Sequence, residues 1–235
     1  MAKRRTSKKK IDFEIEDVVQ ERVETVQSSG STEAWFEKNK NLVLGLIAAL
    51  VLIIGAYFVY KFFVTEPKMK AAKAAIYKAE QQFERDSFAL ALENPGGGFE
   101  GLLDIIDNYS GTPTANLAKL YAGISYLNLG RYEDAISYLE SHSPSGDYSP
   151  IITNGNLGDA YSEQGDFPKA ESYYEKATTA GEDALLTPYY LYKLGLLAKR
   201  NGNNSKALSA FKKIKDNYPS SNEGATIDLL IKSVS

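Results

Sequence analysis

The chain has 235 residues, of which 43% are hydrophobic and 24% charged, and its net charge is −3. Residues 65–235 are numerous enough for one domain with a real core. The chain has no cysteine, which excludes disulfides, thiolate metal sites and a cysteine nucleophile. Its single histidine leaves almost nothing from which to build a histidine metal cluster or a Ser-His-Asp triad.

Residues 1–41 form a tail in which charges are segregated. The first ten residues carry six positive charges, and residues 11–41 carry eight acidic residues against three basic ones. Such a basic arm suits an anionic lipid surface, and the alternative is a tail that is merely solvated. Apolar residues recur at helical spacing between residues 15 and 26, so this segment is either a short amphipathic helix or disordered.

Residues 42–64 read LVLGLIAALVLIIGAYFVYKFFV and contain no charge before Lys61. A helix of this length rises about 34 Å, enough to cross a bilayer core of about 30 Å. A buried core helix rarely runs so long without a polar face, and the apolar region of a cleaved signal peptide is shorter and nearer the start. We therefore predict a retained transmembrane helix that ends at Pro67.

The orientation of this helix follows from the flanking charges. The tail carries nine Lys and Arg residues, which favours a cytoplasmic tail and a C-terminal domain outside. Five lysines between Lys61 and Lys78 weaken this bias, so a domain facing the cytosol remains the alternative.

A glycine-led pattern recurs three times after the anchor. Its first glycines, Gly123, Gly158 and Gly195, are 35 and 37 residues apart, a period typical of helical repeats. In each repeat the first glycine lets two helices approach closely, and a second glycine ends the first helix in a tight turn. The residues predicted to pack the hairpins are Gly123, Tyr126, Gly130, Tyr132, Ala135, Gly158, Tyr161, Gly165, Phe167, Ala170, Tyr174, Gly195, Gly202, Ala207, Phe211 and Pro219.

The segment LGDAYSEQGDFPKAESYYEKA, residues 157–177, resembles the tetratricopeptide repeat (TPR). The likeness is good over residues 122–139 and degenerate over residues 194–214, and the family tryptophan is missing from all three. The resemblance implies an all-α fold, with a single transmembrane helix followed by an α-solenoid of TPR-like helix hairpins.

Several boundaries follow from this register. The repeats are expected at about 116–149, 151–187 and 188–220, with an atypical repeat at about 70–109 that a glycine-rich insert divides. Solenoids need a polar end cap, so residues 221–233 are expected to form a capping helix.

Catalytic motifs are scarce. Gly96-x-Gly98-x-x-Gly101 formally matches a dinucleotide fingerprint, but a helical pattern precedes it and no βαβ unit follows. His142 stands alone near the end of a hairpin's second helix, where a surface or linker position is expected. We therefore predict a chain that is not an enzyme and has no catalytic residue, cofactor or metal.

The TPR resemblance implies a concave groove, lined by the first helix of each hairpin, that contacts a protein partner. The chaperone-binding members carry Lys and Asn where this chain has residues such as Leu120 and Asp159, which argues against a chaperone C-terminus as ligand. An apolar, tyrosine-rich groove suits a folded partner or a hydrophobic segment, unless the C-terminal helix fills it. The groove positions in this sequence are Leu120, Ile124, Leu127, Asn128, Asp159, Glu163, Tyr189, Tyr192, Lys199 and Arg200.

The whole layout is similar to the ancillary subunit of the bacterial SecYEG translocon, the YfgM-like family. That resemblance implies a non-enzymatic adaptor in the bacterial inner membrane, with a periplasmic domain that binds the translocon and periplasmic chaperones or their clients. Residues 65–235 hold 22 acidic and 17 basic residues, which argues against nucleic acid, and no small-molecule substrate is expected. The alternatives are a receptor whose domain faces the cytosol and a scaffold of another envelope assembly machine.

Overall fold

The computed structural model describes the backbone of residues 3–235 and the side chains of residues 32–235. It divides into two compact units, Met1–Val64 and Thr65–Ser235. The interpretation of residues 1–31 as a basic arm and an amphipathic or disordered segment lies outside the residues whose side chains are described.

The first unit is helical. Helix α1 spans Lys3–Tyr60, and a π-helical turn, Lys61–Thr65, follows it. An 18-residue window of this helical stretch has a mean hydropathy of 2.8, and none of it is buried by protein. Among the described residues this is the one helix long and apolar enough to cross a membrane. The prediction that Pro67 ends it was wrong, because Pro67 lies in the first turn of the next helix, where its missing N–H costs nothing.

The second unit consists of helices, and no strand occurs in the part of the chain that the structure describes. The predicted fold class, an apolar helix followed by α-helical hairpins, is confirmed. The helices of this unit are α2 (Glu66–Phe83), α3 (Phe88–Glu93), α4 (Leu102–Asn108), α5 (Pro113–Asn128), α6 (Tyr132–Ser141), α7 (Ser149–Glu163), α8 (Phe167–Thr179), α9 (Leu186–Arg200), α10 (Asn204–Asn217) and α11 (Ile227–Val234).

Three hairpins, α5–α6, α7–α8 and α9–α10, form the middle of the unit. The turns within them contain Gly130, Gly165 and Gly202, whose φ angles are +74°, +81° and +76°, a conformation that glycine adopts without steric cost. Local capping starts the helices: the Asp166 carboxylate accepts a hydrogen bond from the Lys169 N–H at the start of α8.

Close packing inside each hairpin depends on a glycine that faces a large side chain. A Cβ added at Gly123 would lie 2.5 Å from Leu139, and one at Gly158 would lie 2.5 Å from Tyr174. Gly195 meets Phe211 more closely still. The absent Cβ lets the two helices approach until the large side chain of the second helix fills the space.

Two clusters of buried residues form the core. One lies between the α2–α4 region and the first hairpin, around Leu102 and Ile105. The other runs through the following hairpins and includes Phe211 and Ile214. The glycine-rich insert at residues 96–98 joins α3 to α4, and all three glycines have positive φ.

The C-terminal end differs from its predicted form. A 3₁₀ turn, Gly224–Thr226, leads into α11, which begins at Ile227 rather than at residue 221. Helix α11 packs on α10 and buries Ile227 and Val234. Pro219, predicted to pack a hairpin, is exposed instead, because α10 has already ended at Asn217.

Candidate protein-binding groove

The first helices of the three hairpins, α5, α7 and α9, border a groove of about 620 Å³. Its lining comes from the second halves of these helices, from the start of α6 and from the middle of α8, so three successive repeats contribute to one surface. The lining residues are Leu127, Asn128, Tyr132, Asp159, Ser162, Glu163, Tyr174, Lys193, Leu196, Leu197 and Arg200.

Asp159 lies at the centre of a polar network in this groove. Its Oδ1 accepts a hydrogen bond from the Tyr174 hydroxyl at 2.6 Å, and the Lys193 ammonium lies 2.7 Å away. Lys193 also lies over the ring of Tyr189, 4.6 Å from the centroid. The ion pair joins α7 to α9 and therefore ties two repeats together across the groove.

The protonation states of this network follow from its burial. Burial raises the pKa of the Tyr174 hydroxyl well above its ordinary range, and the neighbouring Asp159 carboxylate raises it further. Burial alone would lower the pKa of Lys193, but the charge and hydrogen bonds of Asp159 outweigh it and raise that pKa. At neutral pH the groove floor thus holds the neutral Tyr174 hydroxyl and the ion pair between Asp159 and Lys193.

Charged groups at the rim stay accessible to a partner. The Arg200 guanidinium lies over Phe167, 4.2 Å from the ring centroid, and Arg200 is exposed. The Tyr132 hydroxyl lies 3.5 Å from a carboxylate oxygen of Glu163. The groove is therefore polar and charged, rather than apolar and tyrosine-rich as the sequence suggested.

Half of the predicted groove positions line this groove: Leu127, Asn128, Asp159, Glu163 and Arg200. The other five lie elsewhere.

Leu120 is 6% exposed and belongs to the core, so its assignment to the groove was wrong. Ile124 and Tyr192 are partly buried against the same cluster. Tyr189 is 40% exposed beside Lys193. The Lys199 ammonium donates a hydrogen bond to the Ser233 hydroxyl of α11, so this lysine contacts the C-terminal helix.

One residue that lines the groove, Lys193, was not identified from the sequence, although it lies one helical turn after Tyr189 and one before Leu197, on the same side of α9. Gly155 has a packing role, because a Cβ at this position would overlap the Tyr190 ring. This contact lets α7 and α9 approach closely.

The C-terminal helix α11 does not fill this groove. Every lining residue lies between Leu127 and Arg200, and α11 instead packs on α10. Helix α11 thus extends the row of first helices beyond α9, with the Lys199–Ser233 hydrogen bond at that junction.

His142 caps the end of α6 and is 7% exposed. The expectation of a linker position is met, but that of a surface position is wrong. Its Nδ1 lies 2.9 Å from the Asn116 carbonyl oxygen, and its Nε2 lies 2.9 Å from the Ser149 hydroxyl. The ring therefore joins the loop after α6 to α5 and α7, and burial lowers its pKa.

Comparison with known proteins identifies the repeats. Two family models, each described as tetratricopeptide repeat, match residues 113–180 and 156–222. Together they cover the three hairpins α5–α10, so these are tetratricopeptide repeats, a class of module that mediates protein–protein interaction. No curated protein matches the chain, and the resemblance to the translocon subunit has no counterpart among these matches.

Proposed function

We propose that the chain is a non-enzymatic, membrane-anchored adaptor whose concave groove binds a segment of a protein partner. The observation that supports this most directly is the groove itself, which three tetratricopeptide repeats border and which α11 leaves open. The apolar helix within residues 42–64 supplies the anchor.

The chemistry of the groove favours a polar segment with both charge signs. Asp159 and Lys193 already form an ion pair, so together they present no net charge to a partner. Glu163 and Arg200 lie among the lining residues and are exposed, and each is free to pair with an opposite charge. Asn128 supplies an amide whose carbonyl oxygen can accept a hydrogen bond, since its NH₂ group already donates to the Ile124 carbonyl.

Site-specific photo-crosslinking in native membranes tests the groove. A photoreactive residue at Asn128 or Arg200 should yield adducts with a discrete set of proteins, and one at Asp104 serves as the control. Asp104 is also exposed but lies on α4, outside the groove. If the groove positions give no adduct that the Asp104 control lacks, the groove is not a docking surface.

We further propose that the domain faces the periplasm of a bacterial cell, because the tail carries nine Lys and Arg residues. Because the sequence has no cysteine, an introduced cysteine is the only thiol that a maleimide can label in this chain. An impermeant maleimide added to spheroplasts should label Glu182→Cys in the domain but not Ser7→Cys in the tail. The reverse pattern would place the domain in the cytosol and support the alternative of a cytosolic receptor.

The partner we propose is the protein-translocation machinery or an envelope folding factor. The support for this is the order of basic tail, apolar helix and repeat domain alone. Copurification in a mild detergent should recover translocon subunits with the full chain. Recovery of outer-membrane assembly factors without them would assign the adaptor to another envelope machine and leave the groove proposal standing.

A further inference from the structure

A second groove lies between α8 and α10, the second helices of the last two hairpins. It measures about 730 Å³, and its floor consists of Leu191, Leu194 and Ala210. Hydroxyl groups and charged side chains form its walls. The remaining lining residues are Ser172, Glu175, Lys176, Thr178, Thr179, Asn203, Ser205, Lys206, Ser209 and Lys213.

The two preceding hairpins carry a pair of stacked tyrosines on the same side of the solenoid. Tyr126 stacks on Tyr138, and Tyr161 stacks on Tyr173, each pair with ring centroids 5.3 Å apart. In both pairs one ring comes from the first helix of the hairpin and the other from the second. The stack covers the junction between one hairpin and the hairpin before it.

The third hairpin lacks this pair. With the repeat offset of 37 residues, the positions of Tyr161 and Tyr173 correspond to Ala198 and Ala210. Ala210 lies in the floor of the α8–α10 groove. The groove thus lies where a tyrosine side chain stands in the earlier repeats.

The hydrogen-bond acceptor for such a tyrosine is present. In the second hairpin the hydroxyls of Tyr161 and Tyr173 both donate to Glu140 of the preceding hairpin, at 3.0 and 3.3 Å. The residue that corresponds to Glu140 is Glu175, 35 positions later, and it lines the groove. One carboxylate oxygen of Glu175 pairs with Lys206 at 2.7 Å, so the other can accept a hydrogen bond.

From this correspondence we propose that the α8–α10 groove binds a tyrosine side chain presented by a partner protein. The ring occupies the place that Tyr173 fills one repeat earlier and rests on the apolar floor of Leu191 and Leu194. Its hydroxyl donates to Glu175. This surface is lined by α8, α9 and α10 and shares no lining residue with the groove that α5, α7 and α9 border.

The test uses the full chain in lipid nanodiscs and N-acetyl-tyrosinamide as the probe. Methyl NMR of Leu191 and Leu194 reports binding, because both side chains form the floor. For a ligand of this size we expect a dissociation constant on the order of 1 mM. The phenylalanine analogue, which lacks the hydroxyl, should bind several-fold more weakly, and the alanine analogue should cause no saturable shift.

Two variants decide whether the shifts arise from the proposed site. Ala210→Tyr restores the residue of the earlier repeats, so it should melt no lower than wild type and weaken probe binding at least about tenfold. Lys212→Tyr adds a tyrosine at an exposed position outside the groove and should leave binding unchanged. The proposal is overturned if Ala210→Tyr binds the probe as wild type does, if it melts lower, or if the alanine analogue shifts the methyls equally.

Discussion

Replacement of Gly158 by alanine tests how the hairpins close. The new Cβ would lie 2.5 Å from the Tyr174 ring, a distance at which one of the two must move. Tyr174 is 4% exposed and its hydroxyl is hydrogen-bonded to Asp159, so the ring has little freedom to yield. The substitution therefore forces either the helices apart or the ring away from its acceptor.

The magnitude combines three contributions. Overpacking of a well-packed site costs about 1–3 kcal/mol, and loss of a hydrogen bond to a charged group costs about 1.5–3 kcal/mol. Alanine in place of glycine in a helix returns about 1 kcal/mol. We expect Gly158→Ala to lower the free energy of unfolding by about 1.5–5 kcal/mol, and the melting temperature by about 3–20 °C.

Circular dichroism melting of the full chain measures the effect, and the chain offers a matched control. Gly45 is also helical, but a Cβ there would meet nothing within 4 Å, so Gly45→Ala should leave the melting of the domain unchanged. In a Tyr174→Ala background the truncated side chain makes room, and Gly158→Ala should cost at least about 1 kcal/mol less than in wild type. Equal costs in the two backgrounds would refute the contact between Gly158 and Tyr174 as the reason.

Two further predictions concern pH. Burial lowers the pKa of His142 below its ordinary 6.5. The contribution of His142 to stability is therefore complete above pH 6.5 and is lost as the pH falls through the lowered pKa. In urea unfolding, the wild type should lose stability more steeply towards pH 5 than His142→Gln does, and parallel curves would contradict this. Burial and the hydrogen bond to Glu140 raise the pKa of Tyr161 to about 12, so its contribution is complete below about pH 10 and is lost as the pH rises towards 12. Glu140→Gln should lower that pKa in an alkaline absorbance titration, and an unchanged titration curve would disprove the role of Glu140.

The hairpins could be predicted from the sequence because their determinants are local and repeated. A glycine lies 16 residues before its packing partner in Gly123–Leu139, Gly158–Tyr174 and Gly195–Phe211. Each such pair lies within one hairpin, so its spacing is the same in every repeat.

The groove was less predictable because its contacts join different hairpins. Asp159 pairs with Lys193, which is 34 residues away on another helix, and no pattern within one repeat indicates this. Likewise His142 is buried by Asn116 and Ser149 of two other helices, so its position in its own repeat suggests a surface residue.

The degenerate third repeat shows which part of the pattern maintains the hairpin. It keeps Gly195 against Phe211 and the positive φ of Gly202, and its hairpin is formed. It has alanine at positions 198 and 210, where the earlier repeats have the tyrosines that cover the junction between hairpins. At this surface the third hairpin therefore still forms but leaves a groove. Filling that groove with Ala210→Tyr should leave crosslinks from Arg200 in the other groove unchanged, because the two grooves share no lining residue.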